Sequence, residues 1–146
     1  MLGVAQRAVT EAPRTIEEVL AIDCDWTCKA VRDDTYERKS LVRARMYTLE
    51  KVPKTGYGAL VRIVRPCGGP AEIDALERFE IELKSAVERD GRAILAAIGI
   101  GEARAEYLVY ARDAATTKTQ VPGSAQVDSV DDPSWAQALA LIRSLG

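Results

Sequence analysis

Apolar residues recur at helical spacing in three stretches of the chain and alternate with polar ones in several others. Thr15 and Glu18 form a capping box ahead of Ile16, Val19, Leu20 and Ile22, which predicts a short helix. Trp26–Val31 reads as a first strand, and Asp33-Asp34 as a turn signal. Ser40–Leu49 alternates strictly: Leu41, Arg43, Arg45, Tyr47 and Leu49 share one side, Val42, Ala44, Met46 and Thr48 the other. Lys54-Thr55-Gly56-Tyr57-Gly58 looks like a hairpin turn. Ala59–Arg65 would be its partner strand, with Val61 and Ile63 opposite Leu60, Arg62 and Val64.

Pro70 suits the first turn of a helix, where its missing N–H costs nothing. That helix should run to about Arg89 and close at Gly91, with Ile73, Leu76, Phe79, Leu83 and Val87 on one stripe. Ala93–Ile100 is a continuous apolar run, read as a central strand. Gly101-Glu102-Ala103 turns the chain into Arg104–Arg112, a strand with Leu108, Tyr110 and Arg112 on one face. Thr116–Ser124 is polar and contains Pro122-Gly123, so it reads as a mobile loop. Val127–Val130 predicts a short strand. Asp132 as N-cap and Pro133 at the first position open a last helix on which Trp135, Leu139 and Ile142 share a face.

The strands come in adjacent groups, with too few helices between them for a doubly wound fold. The pattern predicts an α+β domain: an antiparallel sheet of about five strands with helices packed on one face. Residues 1–14 read as a flexible tail and 15–146 as a single domain with no internal repeat. A chain of 146 residues suits one domain. At this size about 68% of the unfolded surface can be buried, so no covalent staple is needed.

Charge removes some partners. The 20 basic residues nearly balance the 22 acidic ones, which gives no global pull toward nucleic acid or an anionic membrane. Nucleic acid is therefore not an expected partner. No run of 18 apolar residues predicts a membrane span, and the first residues lack the pattern of a signal peptide. The expectation is a cytoplasmic protein. Three cysteines, an odd number, argue against a disulfide scaffold. Histidine is absent, which excludes Ser-His-Asp triads, Cys-His dyads and histidine metal sites. The composition reads against an enzyme and calls for no cofactor.

Several motifs invite chemistry. Cys24, Cys28 and Cys67 supply three thiols, but the spacing is not that of paired zinc ligands, so no metal is expected. Gly99-X-Gly101 lacks the third glycine of a dinucleotide fingerprint and reads as a strand-turn-strand hairpin. Cys67-Gly68-Gly69-Pro70 leads into a helix N-terminus, yet Pro70 removes a donor and Glu72 and Asp74 already answer the dipole. Asp128, Asp131 and Asp132 gather before the last helix, where capping explains them better than a hard cation does. Glu80 lies at the edge of an apolar stripe and must be paired, hydrogen-bonded or neutral. An ion pair is the simpler reading; a general acid or base, with Tyr107 and Tyr110 as companions, is the functional one.

Glu80 also belongs to a wider pattern. Gly69-Pro70, Phe79-Glu80 with Leu83, Gly101 with Arg104, Tyr110 with Asp113, and Asp132-Pro133-X-Trp135 follow one another in a fixed order. In that succession, over roughly residues 69–145, the chain resembles a bacterial family known as domain of unknown function number 695. The resemblance implies a bacterial source, a ferredoxin-like style of fold and no agreed activity. A likeness to ferredoxin-like inhibitors of a bacterial endoribonuclease is an analogy of fold.

One further feature concerns the sheet. Arg43, Arg45 and Tyr47 share a strand side, and Arg62, Tyr110 and Arg112 can join them on a helix-free face. Arginine and tyrosine are enriched at interfaces. The leading expectation is a non-catalytic protein-interaction or regulatory module, whose unknown protein partner includes a second copy among the candidates. The alternative is a small enzyme using carboxylate and tyrosine acid-base chemistry, with Glu80, Tyr107 and Tyr110 as its candidate residues.

Overall fold

A computed structural model describes residues 15–21, 26–33, 38–45, 52–66, 73–101, 104–123 and 125–143. Six strands form one antiparallel sheet among them: β1 (Trp26–Asp33), β2 (Arg38–Arg45), β3 (Ala59–Pro66), β4 (Ala93–Ile100), β5 (Arg104–Ala111) and β6 (Gln126–Asp131). Their spatial order is β1-β2-β4-β5-β3-β6. Four helices accompany them: α1 (Ile16–Ala21), α2 (Ile73–Glu88), α3 (Ala114–Gln120) and α4 (Ala136–Arg143). The α+β class and the antiparallel sheet are those the alternation predicted. Within this sheet, β3-α2-β4-β5-α3-β6 is a βαββαβ unit with strand order β4-β5-β3-β6, the ferredoxin-like arrangement. The β1-β2 hairpin extends it beyond β4.

Two connections depart from the sequence reading. β2 and β3 do not form a hairpin, because β3 pairs with β5 and β6. The residues between them, 46–58, number thirteen, far more than the two to five of an ordinary hairpin loop. The polar stretch after Asp113 is a helix at its start, not a loop. The Asp113 carboxylate accepts from the Ala115 amide at 3.1 Å and from the Thr116 hydroxyl at 2.6 Å, which caps α3. Thr117 is buried against the sheet side, so a run of threonines that looks solvated in sequence is held by packing.

Both faces of the sheet are covered, where the sequence suggested one. Val61, Ile63, Leu95, Ile98, Tyr107 and Val109 point to one face and meet Leu76, Phe79, Leu83 and Val87 of α2, with Ala114 of α3 beside them. Leu60, Ile94, Ala97, Leu108 and Tyr110 point to the other and meet Trp135, Ala138, Leu139 and Leu141, with Ile16 and Val19 of α1. Strands β3, β4 and β5 are apolar on both sides, so each side needs a cover. Burying a large apolar side chain contributes about 1.5–3 kcal/mol, which makes α4 as necessary a lid as α2.

The ends of α2 and the start of α4 follow their local chemistry. Gly91 has φ +69°, the left-handed value glycine adopts freely, and its amide bonds to the Glu88 carbonyl just past the helix. α4 begins three residues later than Pro133 suggests. Asp132 still caps it, accepting from the Ala136 amide at 2.9 Å and the Gln137 amide at 3.1 Å. Trp135 takes φ +58° on the way in, a conformation costly for a non-glycine residue. Its ring stacks on Tyr110 at 4.1 Å and its indole N–H donates to the Tyr57 carbonyl at 2.8 Å, which fixes that conformation.

Candidate interaction surface

The basic and aromatic face expected from the sequence does not assemble. Arg43 and Arg45 lie under α2, on the face taken to be helix-free, and Ala44 faces the α4 side. Tyr47 lies outside the described residues. Arg62, Tyr110 and Arg112 belong to the α4 side: Tyr110 is fully buried, and only Arg62 and Arg112 reach solvent.

The arginines sit under a helix because the helix brings carboxylates. Arg43 ion-pairs with Glu80, the pairing that Glu80's place at the stripe edge called for. Arg45, 1% exposed, donates through Nη2 to Glu88 Oε1 at 3.2 Å. Its Nη1 lies 3.1 Å from Oε2, close enough for an ion pair but without hydrogen-bond geometry. Glu88 also accepts from the Leu95 amide at 2.9 Å. Burial pushes the Glu88 carboxyl above its ordinary value, while Arg45 and the Leu95 amide pull it back. Trp26 covers the group, with the Arg45 and Arg43 guanidinium carbons 5.1 Å and 5.3 Å from its ring centre.

Glu80, Tyr107 and Tyr110 do not converge. Tyr107 is on the α2 face, edge-on to Phe79, with its hydroxyl 3.5 Å from the Leu76 carbonyl. Tyr110 is on the opposite face, donating to Asp132 Oδ2 at 2.7 Å. Burial and that carboxylate raise the Tyr110 phenol far above its ordinary value, so it stays protonated. Among the described residues, no group of three or more cysteine, aspartate or glutamate side chains is placed to hold a metal. Cys24 and Cys67 lie outside the described residues, and Cys28 is placed only as part of β1.

One cleft, of about 380 Å³, opens beside Glu17, Asp90, Gly91, Arg92, Arg112 and Asp113. Arg112 donates to Glu17 at 2.7 Å and to the Tyr57 hydroxyl at 3.1 Å, and Tyr57 donates to the Gly91 carbonyl at 2.6 Å. Glu17 is lowered by its own backbone amide first, then by Tyr57 and Arg112; burial raises Tyr57. Asp113 is committed to α3. Charges of both signs line this cleft and largely answer one another, so it pins α1 to the sheet rather than selecting a ligand.

β6 is different. Among the described residues it is an outer strand, paired only with β3, and five of its six residues are exposed. Its register pairs Leu60 with Val130 and Ala59 with Asp131. The Asp132 amide donates to the Gly58 carbonyl at 2.8 Å, which makes that opposed pair a hydrogen-bonded one. In an antiparallel ladder such pairs alternate. Gln126, Asp128 and Val130 therefore turn their amides and carbonyls to β3, and Val127, Ser129 and Asp131 turn theirs outward. Side chains alternate too: Val127 packs on the α2 face, while Val130, 48% exposed, stands beside Leu60 on the α4 face. The sequence showed β6 as a weak strand but not as an edge, because strand order is invisible to periodicity.

No family model matches the chain, and neither a curated protein nor a solved structure does. No helix among the described residues is long and apolar enough to cross a membrane.

Proposed function

We propose that the chain is a non-catalytic protein-interaction or regulatory module of the bacterial cytoplasm, and that it docks its partner along the outer edge of β6. The observation that carries this is the row of outward backbone groups at Val127, Ser129 and Asp131 on an exposed strand. An unpaired strand edge is a template for another strand, and main-chain hydrogen bonds supply the affinity. Helices cover both faces of β3, β4 and β5, so those faces are spent on the core. Residues that carry the family resemblance also serve the fold: Phe79 and Leu83 pack in the core, Tyr110 and Trp135 stack, Asp132 caps α4 and Asp113 caps α3.

The test uses proline at Ser129. The Ser129 amide points away from β3, so Ser129→Pro deletes an outward donor and leaves the β3 ladder whole. Affinity capture with the wild-type chain and with Ser129→Pro, at equal circular dichroism, should recover a partner with the first bait only. Recovery of the same protein by both baits would refute docking at this edge.

A further inference from the structure

The edge of β6 carries charge of one sign. Its sequence, Gln-Val-Asp-Ser-Val-Asp, holds two carboxylates and no cation. Asp128 faces Arg62 across the ladder, and Arg62 is the one cation in that row. But Arg62 donates its Nε to Glu106 Oε1 on its other side at 2.8 Å and holds Nη2 2.8 Å from the same oxygen as an ion pair. A single guanidinium flanked by two carboxylates has chosen Glu106, and Asp128 is left over. Asp131 is opposed by Ala59, which offers no charge. Both aspartates are exposed, and neither makes an ion pair or hydrogen bond with a described side chain.

Building on docking at β6, we infer that the occupant of this edge is an extended protein segment with basic side chains at a fixed spacing. It lies antiparallel to β6, as every pairing in this sheet is antiparallel. Side chains directly opposite across such a pair meet on the same face. Read along the incoming strand, the residues opposite Asp131, Val130, Ser129, Asp128 and Val127 are then basic, apolar, free, basic and apolar. Three-residue spacing of the two cations puts one on each face of the extended sheet, as it puts Asp131 and Asp128. Val130 on one face and Val127 on the other give the apolar residues their contacts. The same two charges weigh against a second copy as occupant. Pairing β6 with β6 would bring four carboxylates along one seam, the arrangement by which exposed edges resist self-association.

The experiment titrates the ¹⁵N-labelled full chain with ten-residue peptides whose centres read Lys-Val-Thr-Lys-Val, Glu-Val-Thr-Glu-Val or Gln-Val-Thr-Gln-Val, following the β6 amides. The basic peptide should bind about tenfold more tightly than the acidic one at low salt, with the gap closing as salt screens it. Asp128→Lys with Asp131→Lys should reverse the order, and Ser129→Pro should abolish binding of all three. Equal affinities for the three peptides, lost in Ser129→Pro, would overturn the basic occupant and leave edge docking in place. Undiminished binding of the basic peptide to Ser129→Pro would overturn both, since the site would lie elsewhere. Failure of any peptide to bind, with a dimer in sedimentation that Ser129→Pro dissolves, would make a second copy the occupant and reject the basic segment.

Discussion

The two faces of the sheet bury polar groups by opposite means. Under α2, two arginines on one strand are met by two carboxylates on the helix, Arg43 by Glu80 and Arg45 by Glu88. Under α4, the Tyr110 phenol and two helix amides donate to the Asp132 carboxylate, and the Trp135 indole donates to the Tyr57 carbonyl. One face hides charge by pairing it; the other hides hydrogen-bonding groups that double as a helix cap. The comparison teaches that arginine at alternate strand positions does not mark the solvent side. It marks the side where the facing element carries the answering charge.

The largest expected effect is at Arg45. Arg45→Met leaves Glu88 buried without its cation, which should cost about 3–5 kcal/mol in urea unfolding. Arg45→Met with Glu88→Leu should recover most of that loss, because a buried pair replaced by apolar residues is often neutral. A single variant within 1 kcal/mol of wild type, by that principle, would show the pair to be dispensable. The pH dependence has a definite sign. Burial raises the Glu88 carboxyl in the folded state, so this group adds stability below its unfolded value and loses it as pH rises through the folded value. Without Arg45 the rise is larger, so the Arg45→Met chain should lose stability more steeply between pH 4.5, Glu88's ordinary value, and neutrality than the parent does.

On the opposite face the corresponding change is milder. Tyr110→Phe removes one donor from Asp132, which keeps two helix amides. The loss should be about 1–2 kcal/mol by thermal or urea unfolding. A larger loss at Tyr110 than at Arg45 would invert the ranking of the two faces.

Much of this contrast was legible in the sequence and its central fact was not. Alternation in Ser40–Leu49 correctly put Arg43 and Arg45 on the side opposite Ala44. Which side the helix covers depends on strand order and crossover, and neither leaves a periodic trace. Ala44 looked like the core side because it is apolar; it does face a core, the one under α4. Glu80 was the clue. A carboxylate at the rim of an apolar stripe asks for a cation on the strand beneath, and Arg43 is that cation. Trp135 was legible as part of the apolar face of the last helix, whereas the sequence put Tyr110 on the helix-free face and it is instead buried under α4; their stacking depends on the turn from β6 into α4. The β6 edge was beyond reach for the same topological reason, although its two aspartates were visible.

Smaller effects separate the rim of the α2 face from its centre. The Arg43 side chain is 26% exposed and its Glu80 partner 16%, so solvent screens this pair more than the Arg45 pair. Arg43→Met should lose about 1 kcal/mol or less in the same unfolding assay. Least of all should come from β6, where Ser129→Pro and Asp128→Lys should each shift stability by about half a kcal/mol at most. A large loss in Ser129→Pro would mean that its amide serves the ladder to β3.

Hydrogen exchange of the six β6 amides, read by NMR on the full chain, reaches the central claim most directly. In the free protein, the amides of Val127, Ser129 and Asp131 should exchange at rates near those of open chain, while Gln126, Asp128 and Val130 are protected by β3. Saturation with the basic peptide should slow the first three and leave the second three as they were. Equal protection of all six in the free chain, or no change at Val127, Ser129 and Asp131 on saturation, would contradict docking at this edge.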